Sequence, residues 1–147
     1  LPLRALHAPI QGYEEQLASG VDHFMAKLKP GAIYGRCNWF IAATGARRWV
    51  AGPPERAFAH VTADNAGSTL FVRSERQTLR RLPQTGAILF TIGIYVSPLR
   101  DISPANVQRL AQAMRSLLDG EGERRGAGAY AHALIGYAKA REEEAGR

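Results

Sequence analysis

Apolar positions recur along this chain in two rhythms, one helical and one alternating, and their order predicts the architecture. Between Tyr13 and Lys29, Leu17, Val21, Phe24, Met25 and Leu28 fall on one stripe of an amphipathic helix, which Pro30 and Gly31 end. Arg36 to Ala43 (RCNWFIAA) reads as a strand. The stretch from Thr44 to Pro54 is rich in turn residues and frames a short strand at Arg48–Val50. Ala57–Thr62 and Thr69–Glu75 are predicted strands, separated by the turn signal Asp64, Asn65, Ala66, Gly67. A short helix is predicted at Arg76–Leu82, stopped by Pro83, and Ala87–Val96 is the strongest strand.

Ser103 has the character of an N-cap, with Pro104 at the first helical position, where its missing N–H costs nothing. Val107, Leu110, Ala111, Met114, Leu117 and Leu118 give that helix its stripe, and Gly120 suits its end. After a loop from Glu121 to Gly128, a last helix runs from Ala129 to about Glu144, with Tyr130, Leu134, Tyr137 and Ala138 on one face. The strands cluster without regular βαβ alternation. That order predicts an α+β fold with an antiparallel sheet and flanking helices, in a single domain.

Alternation also sorts the polar positions. Phe71, Arg73 and Glu75 share one face of their strand, and Leu70, Val72 and Ser74 the other. Two readings stand side by side: a structural Arg73–Glu75 ion pair, or Arg73, Arg76, Arg80 and Arg81 presenting guanidinium groups to a carboxylate or phosphate. In the strongest strand, Ile88, Phe90, Ile92, Ile94 and Val96 form a bulky face expected in the core. Ala87, Leu89, Thr91, Gly93 and Tyr95 form a smaller one, against which a flat ligand or a helix can lie.

Composition narrows the class. The chain has 147 residues, 46% of them hydrophobic and 22% charged, which is ordinary for one globular domain. No apolar run approaches the ~20 residues of a membrane span. The opening lacks the n- and h-regions of a signal peptide and does not begin with Met, as expected of a fragment, a processed form or a renumbered chain. Cys37 is the only cysteine, which excludes an intramolecular disulfide and multi-cysteine zinc motifs and fits a reducing cytoplasm. The net charge of +6 favours acidic partners. Its arginines occur in pairs rather than in a block of five or six, so an acidic protein is favoured over nucleic acid.

Among the four histidines, His23 and His132 lie opposite the apolar stripes of their helices and are expected in solvent, while the facing of His60 is open. His7 precedes Ala8, Pro9 and Ile10 in an apolar extended segment; a lone histidine in such a context is more often structural, and His7 is still the best metal or haem candidate of the four. There is no Walker loop, GxGxxG, HExxH, CxxCH or GxSxG motif.

Four segments carry a resemblance: LHAPIQGY (Leu6–Tyr13), RCNWFI (Arg36–Ile41), RSERQTLRRLP (Arg73–Pro83) and GAILFTIGIYVSPL (Gly86–Leu99). In order and spacing, from about Leu6 to Leu118, the chain resembles the haem-dependent oxidative N-demethylase-like family, which includes the haem subunit of dimethylamine monooxygenase. The resemblance implies a PAS-like twisted sheet with a haem b pocket against it. It also implies O2-dependent demethylation of a small secondary amine, with electrons from a flavin/iron–sulfur reductase or ferredoxin-like donor. Family chains begin upstream of this one, so part of the pocket or a subunit surface is expected outside it. Where the family strand reads Arg-Thr before Tyr, this chain has Gly93 and Ile94, which removes a cation from the face of Tyr95.

Under that resemblance His7 is the expected axial ligand, and Arg36, Arg73 and Arg76 are expected at the haem propionates. Glu75 orients one of those arginines or attracts the substrate ammonium, and Tyr95 donates a hydrogen bond in the pocket. The positive surface docks an acidic electron donor. Two alternatives remain: a PAS-like haem or small-ligand sensor without turnover, and a basic interaction domain using Arg80 and Arg81.

Overall fold

The computed structural model describes residues 13–48, 54–118 and 126–146. His7, the second half of the Arg48–Val50 segment and Gly120 lie outside them. In chain order the elements are α1 (Tyr13–Gln16), α2 (Ala18–Lys27), β1 (Ile33–Ala42), α3 (Pro54–Phe58) and α4 (Ala66–Thr69). After them come β2 (Phe71–Arg81), β3 (Ile88–Pro98), α5 (Pro104–Leu118) and α6 (Ala131–Ala145). Single turns of 3-10 helix at Leu99–Asp101 and Ala127–Ala129 precede α5 and α6. The class is α+β.

The strands form one sheet in the order β1-β2-β3. The register between β2 and β3 follows from three contacts. Leu82 N–H donates to the Ala87 carbonyl at 2.8 Å, the Thr78 and Thr91 hydroxyls meet at 2.6 Å, and Leu99 N–H donates to the Leu70 carbonyl at 2.8 Å. Each step up one strand is a step down the other, so the pair is antiparallel. Arg80 then stands opposite Leu89, Arg76 opposite Gly93 and Ser74 opposite Tyr95. Between β1 and β2, Arg36 reaches Gln77 and Phe40 lies by Arg73, which makes that pair antiparallel too.

Backbone contacts divide the chain into two compact units, residues 1–37 with 76–93, and residues 38–75 with 94–147. The hydrophobic core belongs to the second. Leu70, Leu99, Val107, Met114 and Leu134 are fully buried there, and the Phe58 and Tyr130 rings pack 4.6 Å apart. Of the stripe read along α5, Val107, Leu110, Ala111, Met114 and Leu117 join the core with α6 while Leu118 is exposed, and Gln108 Nε2 fastens the two helices by donating to the Ala138 carbonyl at 2.7 Å. In the first unit α2 packs at the sheet end, with Phe24 edge-on to Tyr34 at 5.6 Å. Arg81 pins it: the guanidinium donates to the carbonyls of Met25, Leu28 and Gly86 at 2.6, 2.8 and 2.7 Å. Its charge thus serves the orphan carbonyls at the C-terminal end of α2.

Several sequence expectations are corrected. Arg76–Leu82 is not a helix: β2 continues to Arg81, because pairing with a strand on each side satisfies its main chain and overrides local propensity. Ala57–Thr62 is not a strand. Pro54 opens the short helix α3, and Asn65 then gathers the chain into a turn, accepting from Thr62 N–H at 2.8 Å and donating to the His60 carbonyl at 2.8 Å. Ala66 and Gly67 are one helical turn rather than a bare loop. The bulky face of β3 is not core throughout. Phe90 and Ile92 are 50% and 46% exposed, because α2 lies along Tyr34 and Arg81 and leaves them uncovered. The first helix is also interrupted at Leu17, which is exposed.

Candidate functional site

Alternation along β2 divides the candidate residues between two faces of the sheet. Arg73, Glu75, Gln77 and Arg81 occupy odd positions and point one way; Ser74, Arg76, Thr78 and Arg80 point the other. On β3, Phe90 and Ile92 share the face of Gln77, whereas Leu89, Thr91, Gly93 and Tyr95 share the face of Arg76 and Thr78. Glu75 and Tyr95, two candidates for the same chemistry, therefore project from opposite sides of their strands.

In the second unit, Arg73 is only 6% exposed, unusual for an arginine. Its Nη1 donates to the Arg47 carbonyl at 2.7 Å, its Nε meets the Glu75 carboxylate at 3.4 Å, and its Cζ stands 5.5 Å from the centre of the Phe40 ring. The Glu75 side chain is itself 15% exposed. A buried charge survives in this way, by pairing and hydrogen bonding. Arg73 reaches the loop after β1, where Gly45 meets the Phe71 ring so closely that an added Cβ would sit 3.0 Å from it. Tyr95, in contrast, is 59% exposed.

In the first unit, Arg36 Nε donates to Gln77 Oε1 at 2.8 Å, and Gln77 is 8% exposed. Gln77 stands out in sequence only as part of the polar run from Arg73 and carries no site role there. The signal was its even spacing from Arg73 and Glu75, hidden by reading a helix from Arg76. On the opposite face Arg76 and Arg80 are both exposed and make no hydrogen bond or ion pair among the described residues. Beside them lie Thr78, Thr91 and Gly93, with Leu89 50% and Ile33 66% exposed at the rim.

The described histidines sit on helices or in a turn rather than on the strands. His23 on α2 and His132 on α6 are exposed, as expected, and His60 sits in the turn after α3, also exposed. Among the described residues no three His, Cys, Asp or Glu side chains gather in a metal-binding group. Cys37 is a free, exposed thiol.

Chemically, the arrangement offers one sealed guanidinium–carboxylate pair and one open surface with two uncommitted guanidinium groups. Residues 1–135 match the family model described as haem-dependent oxidative N-demethylase, alpha subunit-like. Since that span covers most of the 147 residues, the chain belongs to the haem-dependent oxidative N-demethylase alpha subunit-like family.

Proposed function

We propose that this chain binds haem b and takes part in the oxidative removal of a methyl group from a small secondary amine. The observation that carries the reading is the family match over residues 1–135. In the net reaction, dimethylamine, O2, two electrons and two protons become methylamine, formaldehyde and water. Haem, when bound, supplies the oxygen activation; the protein supplies binding, orientation and field.

The described residues fit such a group in two of its three needs. The sheet of the first unit bears apolar side chains half-open to solvent, Leu89 on one face and Phe90 with Ile92 on the other, the latter pair suited to a flat apolar ring. It also bears exposed guanidinium groups suited to carboxylates, Arg36 on the face of Phe90 and Ile92, where it also donates to Gln77, and Arg76 and Arg80 on the face of Leu89. For the axial donor we propose His7. Arg73 takes a bracing role in this reading, since its hydrogen bonds are spent on Glu75 and the Arg47 carbonyl. Glu75 orients Arg73, and the exposed Tyr95 hydroxyl is proposed as a hydrogen-bond donor toward substrate. The sheet with flanking helices is taken as part of a single PAS-like domain, working in the cytoplasm with a reductase or ferredoxin-like donor drawn by the net charge of +6. No helix among the described residues is long and apolar enough to cross a membrane.

One observation favours a second reading, a PAS-like haem or small-ligand sensor without turnover: Gly93 brings no cation to the face of Tyr95. The register offsets it in part, because Arg76 stands directly across from Gly93. The test is a visible spectrum of the chain purified after haem supplementation, followed by formaldehyde release from dimethylamine with a reductant. A Soret band with formaldehyde is the expected result. A band without formaldehyde selects the sensor, and no band overturns both.

A further inference from the structure

A sheet edge with unpaired main-chain groups recruits another strand unless something guards it. The two edges of this sheet differ in that respect. β1 carries Gly35, Arg36 and Asn38 along its length. β3 runs from Ile88 to Pro98, holds no charged side chain and reaches proline only at its last position. No bulge twists it away, since Leu82 pairs with Ala87 at one end and Leu70 with Leu99 at the other in one unbroken register. Among the described residues only β2 pairs with it.

The same two hydrogen bonds fix which residues face outward. Antiparallel pairing alternates, so Leu89, Thr91, Gly93 and Tyr95, in step with Ala87 and Leu99, turn their main-chain groups to β2. Ile88, Phe90, Ile92, Ile94 and Val96 turn theirs to the open edge. About Ile92 this edge reads nearly the same from both ends. In an antiparallel two-fold centred there, Ile92 faces Ile92 of the second copy, Phe90 faces Ile94 and Ile88 faces Val96, each pair exchanging two main-chain hydrogen bonds. On the other face of the strands Leu89 meets Tyr95 and Thr91 meets Gly93. Large apolar residues thus meet large apolar ones, and every outward N–H from Ile88 to Val96 finds a carbonyl. Moving the centre to Phe90 or Ile94 strands the outward groups at one end.

The surface available is of the right order for a second copy. Leu89, Phe90, Ile92, Ile94 and Tyr95 are between 36% and 59% exposed. At roughly 150–250 Å² for a whole aromatic side chain, that exposure amounts to about 500 Å² per chain. Two copies together offer about the 1,000 Å² at which specific interfaces begin, which predicts a dimer whose population depends on concentration. We propose that β3 pairs edge to edge with β3 of a second copy of this chain, antiparallel about a two-fold axis at Ile92.

The test is sedimentation equilibrium of the full chain over a concentration series, with the variants I92K and I92E and their equimolar mixture. The wild type is expected in a monomer–dimer equilibrium. Each variant sets two like charges opposite each other at the axis and should raise the dimer dissociation constant at least roughly tenfold. The mixture sets lysine against glutamate and should recover most of that loss as a mixed dimer, which a merely structural role for Ile92 would not produce. Circular dichroism like that of the wild type confirms that the variants are folded. Independently of any variant, amide exchange at Phe90, Ile92 and Ile94 of the wild type should slow as concentration rises. A wild type that stays monomeric, open-ended larger assemblies, or a dimer indifferent to I92K overturns the proposal and leaves the edge to a strand of another protein. Exchange that ignores concentration overturns it too, and a mixture no more dimeric than either variant alone overturns the axis at Ile92.

Discussion

Replacing Arg73 by Ala tests whether the buried guanidinium is a structural brace. Three interactions are lost together. The hydrogen bond to the Arg47 carbonyl, at 2.7 Å and in a side chain 7% exposed, is the strongest; bonds of that charged type contribute ~1.5–3 kcal/mol. Stacking of the guanidinium on Phe40 adds about 0.5–1 kcal/mol. The contact with Glu75 is long at 3.4 Å, so the direct attraction is the smaller part of what goes. The larger part is that a carboxylate only 15% exposed is deprived of a cationic neighbour. Together these predict a loss of about 3 kcal/mol, a fall of roughly 6–12 °C in Tm for a chain of this size. Urea unfolding followed by circular dichroism measures it. E75Q should cost less in the R73A background than in the wild type, with a coupling of about 1 kcal/mol. Haemin affinity, corrected for the folded fraction, should not change. A loss under about 1 kcal/mol would show that these bonds behave as a surface pair does and would refute the reasoning.

Other outcomes follow from single contacts. H7A should abolish or shift haem ligation; an unchanged spectrum removes His7 and turns attention to His60. G67A should destabilise by about 1–3 kcal/mol, because the new Cβ would sit 2.9 Å from the Tyr137 ring, and Y137L should restore most of the loss in thermal unfolding. R81A removes the side-chain donor of the Met25 and Leu28 carbonyls at the end of α2, and amide exchange over residues 18–28 should accelerate while the buried α5 and α6 amides keep their protection. Cys37, exposed and the only thiol, should react with Ellman's reagent in the native protein at the same final stoichiometry as in denaturant.

The elements with strong period and clear punctuation were readable from the residues alone. The α5 stripe behind Ser103 and Pro104 is one case; the Ser103 carbonyl does accept the Val107 N–H at 3.0 Å, opening the helix where the cap signal stands. The alternation of β3 is another. What failed were the segments whose state depends on neighbours. Residues 76–82 carry arginine, glutamine and leucine, all good helix formers, and only the strands on either side hold them extended. The cost of that misreading was functional as well as structural. A helix from Arg76 would put Gln77 and Arg80, three residues apart, on one face, whereas the strand sends them to opposite faces, Gln77 with Arg73 and Arg80 with Arg76. The bulk of Phe90 and Ile92 correctly marked a face of a strand, but burial depends on what packs above it, and the sequence of β3 holds no record of where α2 will lie.

The strand that carries the family's most specific run therefore does two jobs by alternation. Charges usually avoid the middle of a three-stranded sheet, and four arginines on its central strand would be destabilising if all were buried or idle if all were solvated. Period two separates them. The side chains at 73 and 81 turn toward main-chain carbonyls and fasten the loop after β1 and the end of α2 to the sheet, so their cost of burial is offset locally by hydrogen bonds. The side chains at 76 and 80 turn to the opposite face, where nothing among the described residues meets them, and where charge remains free for an anionic ligand. The burial cost of the first pair is met by main-chain acceptors inside the fold, while the second pair keeps its hydration on the opposite face, so one strand carries both without an unpaired buried charge.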